Sequence, residues 1–387
     1  MIFLDHSATT PTDPVVLDAM ARLAAQAWGN PSSVHALGRR ARAALEQARA
    51  ELAACLAAPA EEVVFTASGS EANNLLIQGI LARHAGRPTH LVVSAIEHDS
   101  VLNTARYLAR RHPWLALTEV LPDPTGRVNP QAVAAALRPE TCLVCLMHAN
   151  NETGRLQPVA EVAPLVHEAG ALLHVDAVQS FGRVLVQLPA LGCDSLALAA
   201  HKFYGPKGVG ALALRRGLKL DPLIVGGAQE HHRRAGTENL PGAAGMALAA
   251  RLAMDRLQDH RRCLLSLESA FLEPLRAAGL PLQINGAMDD KLPGVLNLAI
   301  CGIRQDDLVV GMDLSGYAIA AGSACSSGVI EPSHVLRAMG LPPWRVHGAI
   351  RVSFGRDNTP QEARQAAQAL ILLSQRLRNE IPSEEAL

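Results

Sequence analysis

Two textures alternate along the chain: short, almost continuously apolar runs, and longer stretches where apolar residues recur at helical spacing. The first predicts strands at Val63–Thr66, Leu91–Ser94, Leu117–Leu121, Cys142–Met147, Leu172–Asp176, Ser195–Ala199 and Val209–Leu214. The second predicts helices between them, at Glu71–Ala85, Asp99–Arg111 and Val159–Ala169. Ahead of these, Thr12-Asp13-Pro14 supplies cap residues for a helix from about Val15. After Asn30-Pro-Ser-Ser33 a second helix is marked by Leu37, Ala41, Leu45, Ala48, Leu52 and Leu56 on one face. Strands apolar on both faces and alternating with helices predict an α/β fold, a mostly parallel seven-stranded sheet covered on both sides.

The texture changes after residue 240. A long helical stretch, Pro241 to about Ala278, reads as broken near Pro274. Fewer strands follow, at Val295–Ile300, Tyr317–Ala321 and Ile350–Phe354, and a helix from Pro360 closes the pattern. This predicts a large domain over 12–257 and a smaller α+β domain formed by 258–387 together with the polar opening segment, 1–11.

Composition narrows the function classes. Of 387 residues, 49% are hydrophobic and 18% charged, which excludes disorder. Basic and acidic side chains, 35 and 36, leave a net charge of -1, no footprint for DNA or RNA. Aromatics at 3% offer no base-stacking platform. No apolar run approaches the ~20 residues that span a bilayer, and the first residues lack a basic leader, so a cytoplasmic protein is expected. Seven cysteines are odd in number and scattered, which argues against a disulfide framework. Cys142 and Cys145 have CxxC spacing, but on a strand they are expected to face opposite ways, unable to share a metal. No HExxH occurs among the 15 histidines, and no metal site is predicted.

Only four lysines are present: Lys202, Lys207, Lys219 and Lys291. In open α/β sheets ligands collect beyond the carboxyl ends of the strands, and the polar residues cluster there. Ala67-Ser-Gly-Ser-Glu-Ala-Asn-Asn74 leads from a strand into a helix, which suits a phosphate on free N–H groups as well as an ordinary helix cap. Asp176, with Gln179 three residues on, ends another strand; alone it reads first as a cap of the next helix and second as a functional carboxylate. His201-Lys202 leaves an apolar strand for a glycine-rich turn. An amine desolvated there has a lowered pKa and gains nucleophilicity, so Lys202 is the best Schiff-base candidate of the four. A phosphate cradle, a strand-end carboxylate and a strand-end lysine together match the demands of pyridoxal 5'-phosphate.

Several segments, in order over nearly the whole chain, resemble the cysteine desulfurases. They are Leu4-Asp-His-Ser-Ala-Thr-Thr-Pro11, Gly29-Asn-Pro-Ser-Ser33, Glu97-His98, His148-Ala-Asn-Asn-Glu-Thr-Gly154, His174-Val-Asp-Ala-Val-Gln-Ser180 and His201-Lys202. Arg234-Ala-Gly-Thr-Glu-Asn239, Gly322-Ser-Ala-Cys325 and Arg351-Val-Ser-Phe-Gly-Arg356 continue the series. The branch serving nitrogenase-type and housekeeping iron–sulfur assembly is the most similar. The resemblance implies an aspartate-aminotransferase-like fold (pyridoxal-phosphate fold type I) and a homodimer with shared active sites.

By that resemblance Lys202 is the Schiff-base lysine, Asp176 the partner of the pyridinium nitrogen, and Gln179 the partner of the ring hydroxyl. His98 stacks on the ring; the alternative for it is a satisfied core histidine. Gly69, Ser70 and His201 contact the phosphate, and Thr237 reaches the cofactor of the neighbouring subunit. Asn151 and Arg351 hold the substrate carboxylate, with Asn30 a further candidate, and Asn151 also counts among the cofactor contacts. Cys325, on an expected mobile loop of about 321–333, is the sulfur-accepting nucleophile. The activity implied is removal of sulfur from L-cysteine, giving L-alanine and a persulfide passed to an acceptor protein for iron–sulfur cluster assembly or thiolation. Alternatives are a selenocysteine lyase, another enzyme of the superfamily, or a non-enzymatic scaffold. Two departures stand out: Ala199-Ala200 replaces the common Ser-Gly before His-Lys, removing one phosphate hydroxyl, and His231-His232 replaces a common Arg-Gly pair.

Overall fold

The structure is a computed structural model and describes residues 1–322 and 332–380. Its main sheet has seven strands in the order Val63–Thr66, Gly210–Leu214, Ser195–Ala199, Leu172–Asp176, Thr141–Cys145, Thr89–Ser94, Leu115–Val120. All neighbours run parallel except Gly210–Leu214, antiparallel to both of its partners. Successive residues face different core layers: Val92, Val144, Leu196 and Leu198 pack into one cluster, while Leu91, Val93, Leu143 and Ala197 pack into another. Both faces are dry along six of these strands, which is why they read as apolar runs; the edge strand Leu115–Val120 is the exception, with Ala116 exposed and Leu117, Thr118 and Glu119 half-buried.

Helix Ala36–Leu56 buries Ala41, Leu45, Ala48, Leu52 and Leu56 as its spacing predicts, whereas Leu37, in its first turn, is exposed. Two other expectations need correction. The Thr141–Cys145 strand slips register against Thr89–Ser94, so that Thr141 pairs with His90 and Leu143 with Leu91. Cys142 is the extra residue of this bulge, and it packs into the same core cluster as Cys145 rather than facing away from it. Second, the long helix breaks at Arg256, not near Pro274: helices Leu240–Asp255 and Leu257–Ala277 meet where Arg256 leaves helical geometry. Pro274 lies in the last turn of the second helix, where its missing N–H removes one hydrogen bond without ending the helix.

A smaller antiparallel sheet follows, ordered Ala349–Ser353, Val295–Ile300, Leu282–Ile284. Its separate core includes Leu4, Phe271, Phe354 and Leu370. The opening residues Ile2–Phe3 pair in parallel with Tyr317–Ala318. From there the chain runs across to the end of the main sheet, where Thr10 N donates to His201 O at 2.8 Å. No described helix is long and apolar enough to cross a membrane.

Candidate active site

The carboxyl ends of the parallel strands open onto a cleft lined by Ser68, Gly69, Asn73, His98, Asp176 and Lys202. Helix Gly69–Ala82 starts at its edge, with the Ser68 side chain accepting from Glu71 N at 3.1 Å. Gly69 is required by close approach: a Cβ there would lie 2.6 Å from Val178 Cγ2. The exposed Ser70 hydroxyl and the first N–H groups of this helix line the cleft wall, donors of the kind an anion binds. His201 lines the same wall, its Nδ1 3.2 Å from Thr9 Oγ1, and burial beside Lys202 and Lys207 pushes its pKa down to about 4. Ala199 also lines it and brings no hydroxyl.

Asp176 ends its strand buried at the cleft floor. Its Oδ1 accepts from Val178 N at 2.9 Å and its Oδ2 from Asn73 Nδ2 at 2.8 Å, so it caps the following turn and faces the cleft at once. Gln179 Nε2 donates to Ser7 O at 3.0 Å. Lys202 Nζ donates to the same Ser7 carbonyl at 2.5 Å and to Ala8 O at 2.9 Å. Desolvation, helped by the Arg351 and Arg183 charges and opposed by Asp5 and Asp176, pushes the Lys202 pKa down to about 7. A large fraction of this amine is therefore neutral near neutral pH.

That shift has a stability consequence in the cofactor-free protein. Between about pH 7 and its ordinary 10.5, the unfolded chain binds a proton on Lys202 that the folded chain does not, so stability from this group rises with pH across that window. Lys202→Met removes the group. The variant's gain in Tm over wild type should be largest below pH 7 and shrink towards pH 10.5, as followed by thermal unfolding. A gain that does not vary with pH would contradict the lowered pKa.

His98 is exposed, not a core histidine; its ring opens onto the cleft while it caps helix Asp99–Arg111. The preceding Glu97 is fully buried and its carboxyl is raised to about 8 by desolvation. Glu97 Oε1 accepts from Ser94 Oγ at 2.5 Å and Met147 N at 2.7 Å, fixing the turn that presents His98. Arg351, buried on its strand, donates from Nη1 to Asn151 O at 3.0 Å and pairs through Nη2 with Asp5 Oδ1 at 2.7 Å. Arg351 Nε and Asn151 Oδ1 are buried without a partner. Such atoms are costly unless a ligand engages them, and Asn151 borders the cleft.

Of the described sequence candidates, Thr237 and Asn30 do not line this cleft, and Arg351 reaches it only through its hydrogen bond to Asn151. Thr237 lines a separate cavity with Arg234, Gly236 and Asn239. Asn30 is exposed, its Oδ1 accepting from Ser32 N at 2.8 Å in a local turn. Cys325 lies outside the described residues. His231 and His232 follow Glu230 in three consecutive left-handed residues, φ 55° and 64° after 47°; His232 thus occupies a conformation glycine adopts freely. Buried Glu230 anchors this strained turn by accepting from Arg49 Nη1 at 2.6 Å and Phe65 N at 2.9 Å. Sequence reasoning gave no role to Asn73, Ser100, Glu97, Asp5 or the Ser7 and Ala8 carbonyls; for Asn73 the signal was its place one turn into the cradle helix.

The groups around the cleft fit pyridoxal phosphate: a neutral amine, a floor carboxylate, a helix start for the phosphate and an exposed imidazole. Together with the sheet they define an α/β enzyme of the aminotransferase type. The family model "Aminotransferase class-V" matches residues 2–365. A cysteine desulfurase of Bradyrhizobium diazoefficiens is 42% identical over 378 residues, 97% of this chain and 95% of its own. A solved NifS-like protein superposes with a TM-score of 0.90 at 32% identity, covering 97% of this chain and 99% of that one. A structure described as SspA in complex with cysteine superposes at 0.80 with 32% identity, covering 93% and 100%. The chain belongs to the class-V aminotransferase family and, within it, to the cysteine desulfurases of NifS-like type. This family is pyridoxal-phosphate-dependent and its fold is type I.

Proposed function

We propose that the protein is an L-cysteine desulfurase using pyridoxal 5'-phosphate, releasing L-alanine and leaving the sulfur as a persulfide on Cys325. The observation that carries this is the convergence of Lys202, Asp176 and the start of helix Gly69–Ala82 on one cleft, in a chain whose relatives include named cysteine desulfurases. One structural neighbour, SspA, is a complex with cysteine.

Gly69, Ser70 and His201 would hold the phosphate, Asp176 and Gln179 would serve the ring nitrogen and the ring hydroxyl, and His98 would lie against the ring. When bound, the cofactor supplies a carbonyl for amine condensation and an electron sink for the substrate's Cα–H bond. Lys202, as a neutral amine, would hold the cofactor and is placed to take the substrate's Cα proton. Arg351 and Asn151 orient the substrate carboxylate; Arg351 exchanges its Asp5 contact for a bidentate grip. Asn30 is a further candidate for this end of the substrate. His98 moves a proton at the substrate thiol. The Cys325 thiolate forms a bond to the substrate sulfur as the Cβ–S bond breaks, and its electron pair stays with the carbon that becomes alanine's methyl.

The working form is a homodimer in which Thr237 of one copy completes the cofactor site of the other. Strongly exposed Trp28, Val34 and Val225 support such a contact. The separate core that joins Leu4 to Phe271, Phe354 and Leu370 supports a division into a large domain, 12–257, and a small one, 1–11 with 258–387, although Val335, Leu336 and Met339 of the small domain pack into the large domain's core. A cytoplasmic enzyme delivering sulfur to an iron–sulfur scaffold or another acceptor protein completes the reading. Purified protein loaded with cofactor and given L-cysteine and a reductant should release alanine and sulfide in equal amounts. Alanine without sulfide, or neither, would overturn it.

A further inference from the structure

Behind the cleft, a hydrogen-bond chain joins groups on four elements, and the polarity of each link is fixed. The Ser100 backbone N–H, always a donor, points at His98 Nδ1 from 3.1 Å. The lone pair is therefore on Nδ1, and neutral His98 carries its proton on Nε2. Ser100 Oγ lies 2.8 Å from the same Nδ1. It also accepts from Asn73 Nδ2 at 2.9 Å, which leaves the hydroxyl hydrogen free to point at the imidazole. Asn73 cannot be turned over, because its other amide hydrogen goes to Asp176 Oδ2 at 2.8 Å, and a reversed amide would set oxygen against oxygen. His174 Nε2 lies 3.0 Å from Asn73 Oδ1, and His174 Nδ1 lies 2.9 Å from Ser195 Oγ. His174 is buried and its pKa falls to about 3, so it stays neutral and donates to the amide oxygen.

We propose that Asn73 and Ser100 are positioning residues that fix His98 in the tautomer with its proton on Nε2, and that Asn73 ties this choice to the orientation of Asp176. One amide thereby sets the two groups that the functional reading places on the ring face and at the ring nitrogen. The assignment rests on that reading for its catalytic meaning, though not for its geometry.

The test is nitrogen NMR of the ¹⁵N-histidine-labelled, cofactor-free full chain, with His98 assigned through His98→Gln. Wild type should show Nε2 protonated and Nδ1 bare, the Nδ1 resonance displaced by the hydrogen bonds it accepts. Ser100→Ala, which keeps the backbone N–H, should reduce that displacement, and Ser100→Thr should restore it. Asn73→Asp should change the same resonance although it does not touch the imidazole. In the loaded enzyme Ser100→Ala should lower kcat for cysteine about tenfold with KM nearly unchanged, on the order of what orienting partners of functional histidines carry. A proton found on Nδ1 in wild type, or an Nδ1 resonance indifferent to both Ser100→Ala and Asn73→Asp, overturns the proposal. These spectra need no turnover, so a wild-type protein that fails to consume cysteine would sink the functional reading and leave this one standing or falling on its own.

Discussion

Lys202→Ala should fold, purify without the visible absorption band of the cofactor-loaded protein, and lose cysteine turnover by about 10³-fold or more, within the range a positioned acid–base group supplies. The size of the effect follows from the absence of a substitute. Lys207 and Lys219 are exposed, where an ammonium keeps its hydration. Lys291 is already committed: its Nζ donates to Glu268 Oε1 at 2.6 Å and to the Leu292 and Val295 carbonyls. Lys202 alone sits at a strand end, with only two carbonyls to hold it and a pKa lowered to about 7. The measurement is an absorption spectrum, together with borohydride reduction and peptide mass mapping of the wild type, which should place the cofactor on Lys202. An unchanged band in the variant would sink the Schiff-base assignment. The empty space left by truncation lies in a cleft open to solvent, so stability should suffer little compared with a core deletion.

The sheet was legible because all its strands but the edge strand Leu115–Val120 are buried on both faces, and a run such as Ser195–Ala199 has one interpretation once helices flank it. Lys202 stood out for a related reason: where an apolar strand ends, an amine has no packing role to explain it, whereas Asp176 read first as a helix cap and in the structure caps Val178 N while facing the cleft. What escaped the sequence depends on contacts between distant residues. The bulge at Cys142 is set by how Thr141–Cys145 registers on Thr89–Ser94, which no local pattern encodes. The pairing of Ile2–Phe3 with Tyr317–Ala318 involves strands too short to show an alternation. Asn73 looked like any polar residue in a helix, and its role emerged only when Asp176, Ser100 and His174 converged on it. Arg351 was readable as a carboxylate-binding group by resemblance. Its contact with Asp5 was not, although that contact gives the guanidinium a partner before substrate arrives.

Cys325→Ala should separate the two halves of the chemistry. The variant should keep the absorption band of the loaded enzyme and its response to cysteine, while sulfide and alanine formation fall about 10²-fold or more and no persulfide appears on the chain by mass spectrometry. The other thiols are poor substitutes, since only a thiolate attacks sulfur. Burial pushes Cys142 up to about 11, Cys193 up to about 12 and Cys145 well above its ordinary value, and it raises Cys55 and Cys263 as well. At pH 7 a thiol with a pKa of about 11 is ionised in only about one molecule in ten thousand. Cys301 follows the strand Val295–Ile300 of the smaller sheet and borders no part of the cleft. Cys325 differs from all of these in its setting, Gly322-Ser-Ala-Cys325-Ser-Ser-Gly328, which holds no large apolar side chain to bury a thiol. A Cβ placed on Gly322 would lie 3.1 Å from Glu152 Oε2, the oxygen that accepts from Ser333 Oγ at 2.6 Å. Normal sulfide release from Cys325→Ala would move the nucleophile elsewhere. Loss of sulfide release in Cys325→Ala, with full release retained in Cys145→Ala and Cys301→Ala, is the expected outcome.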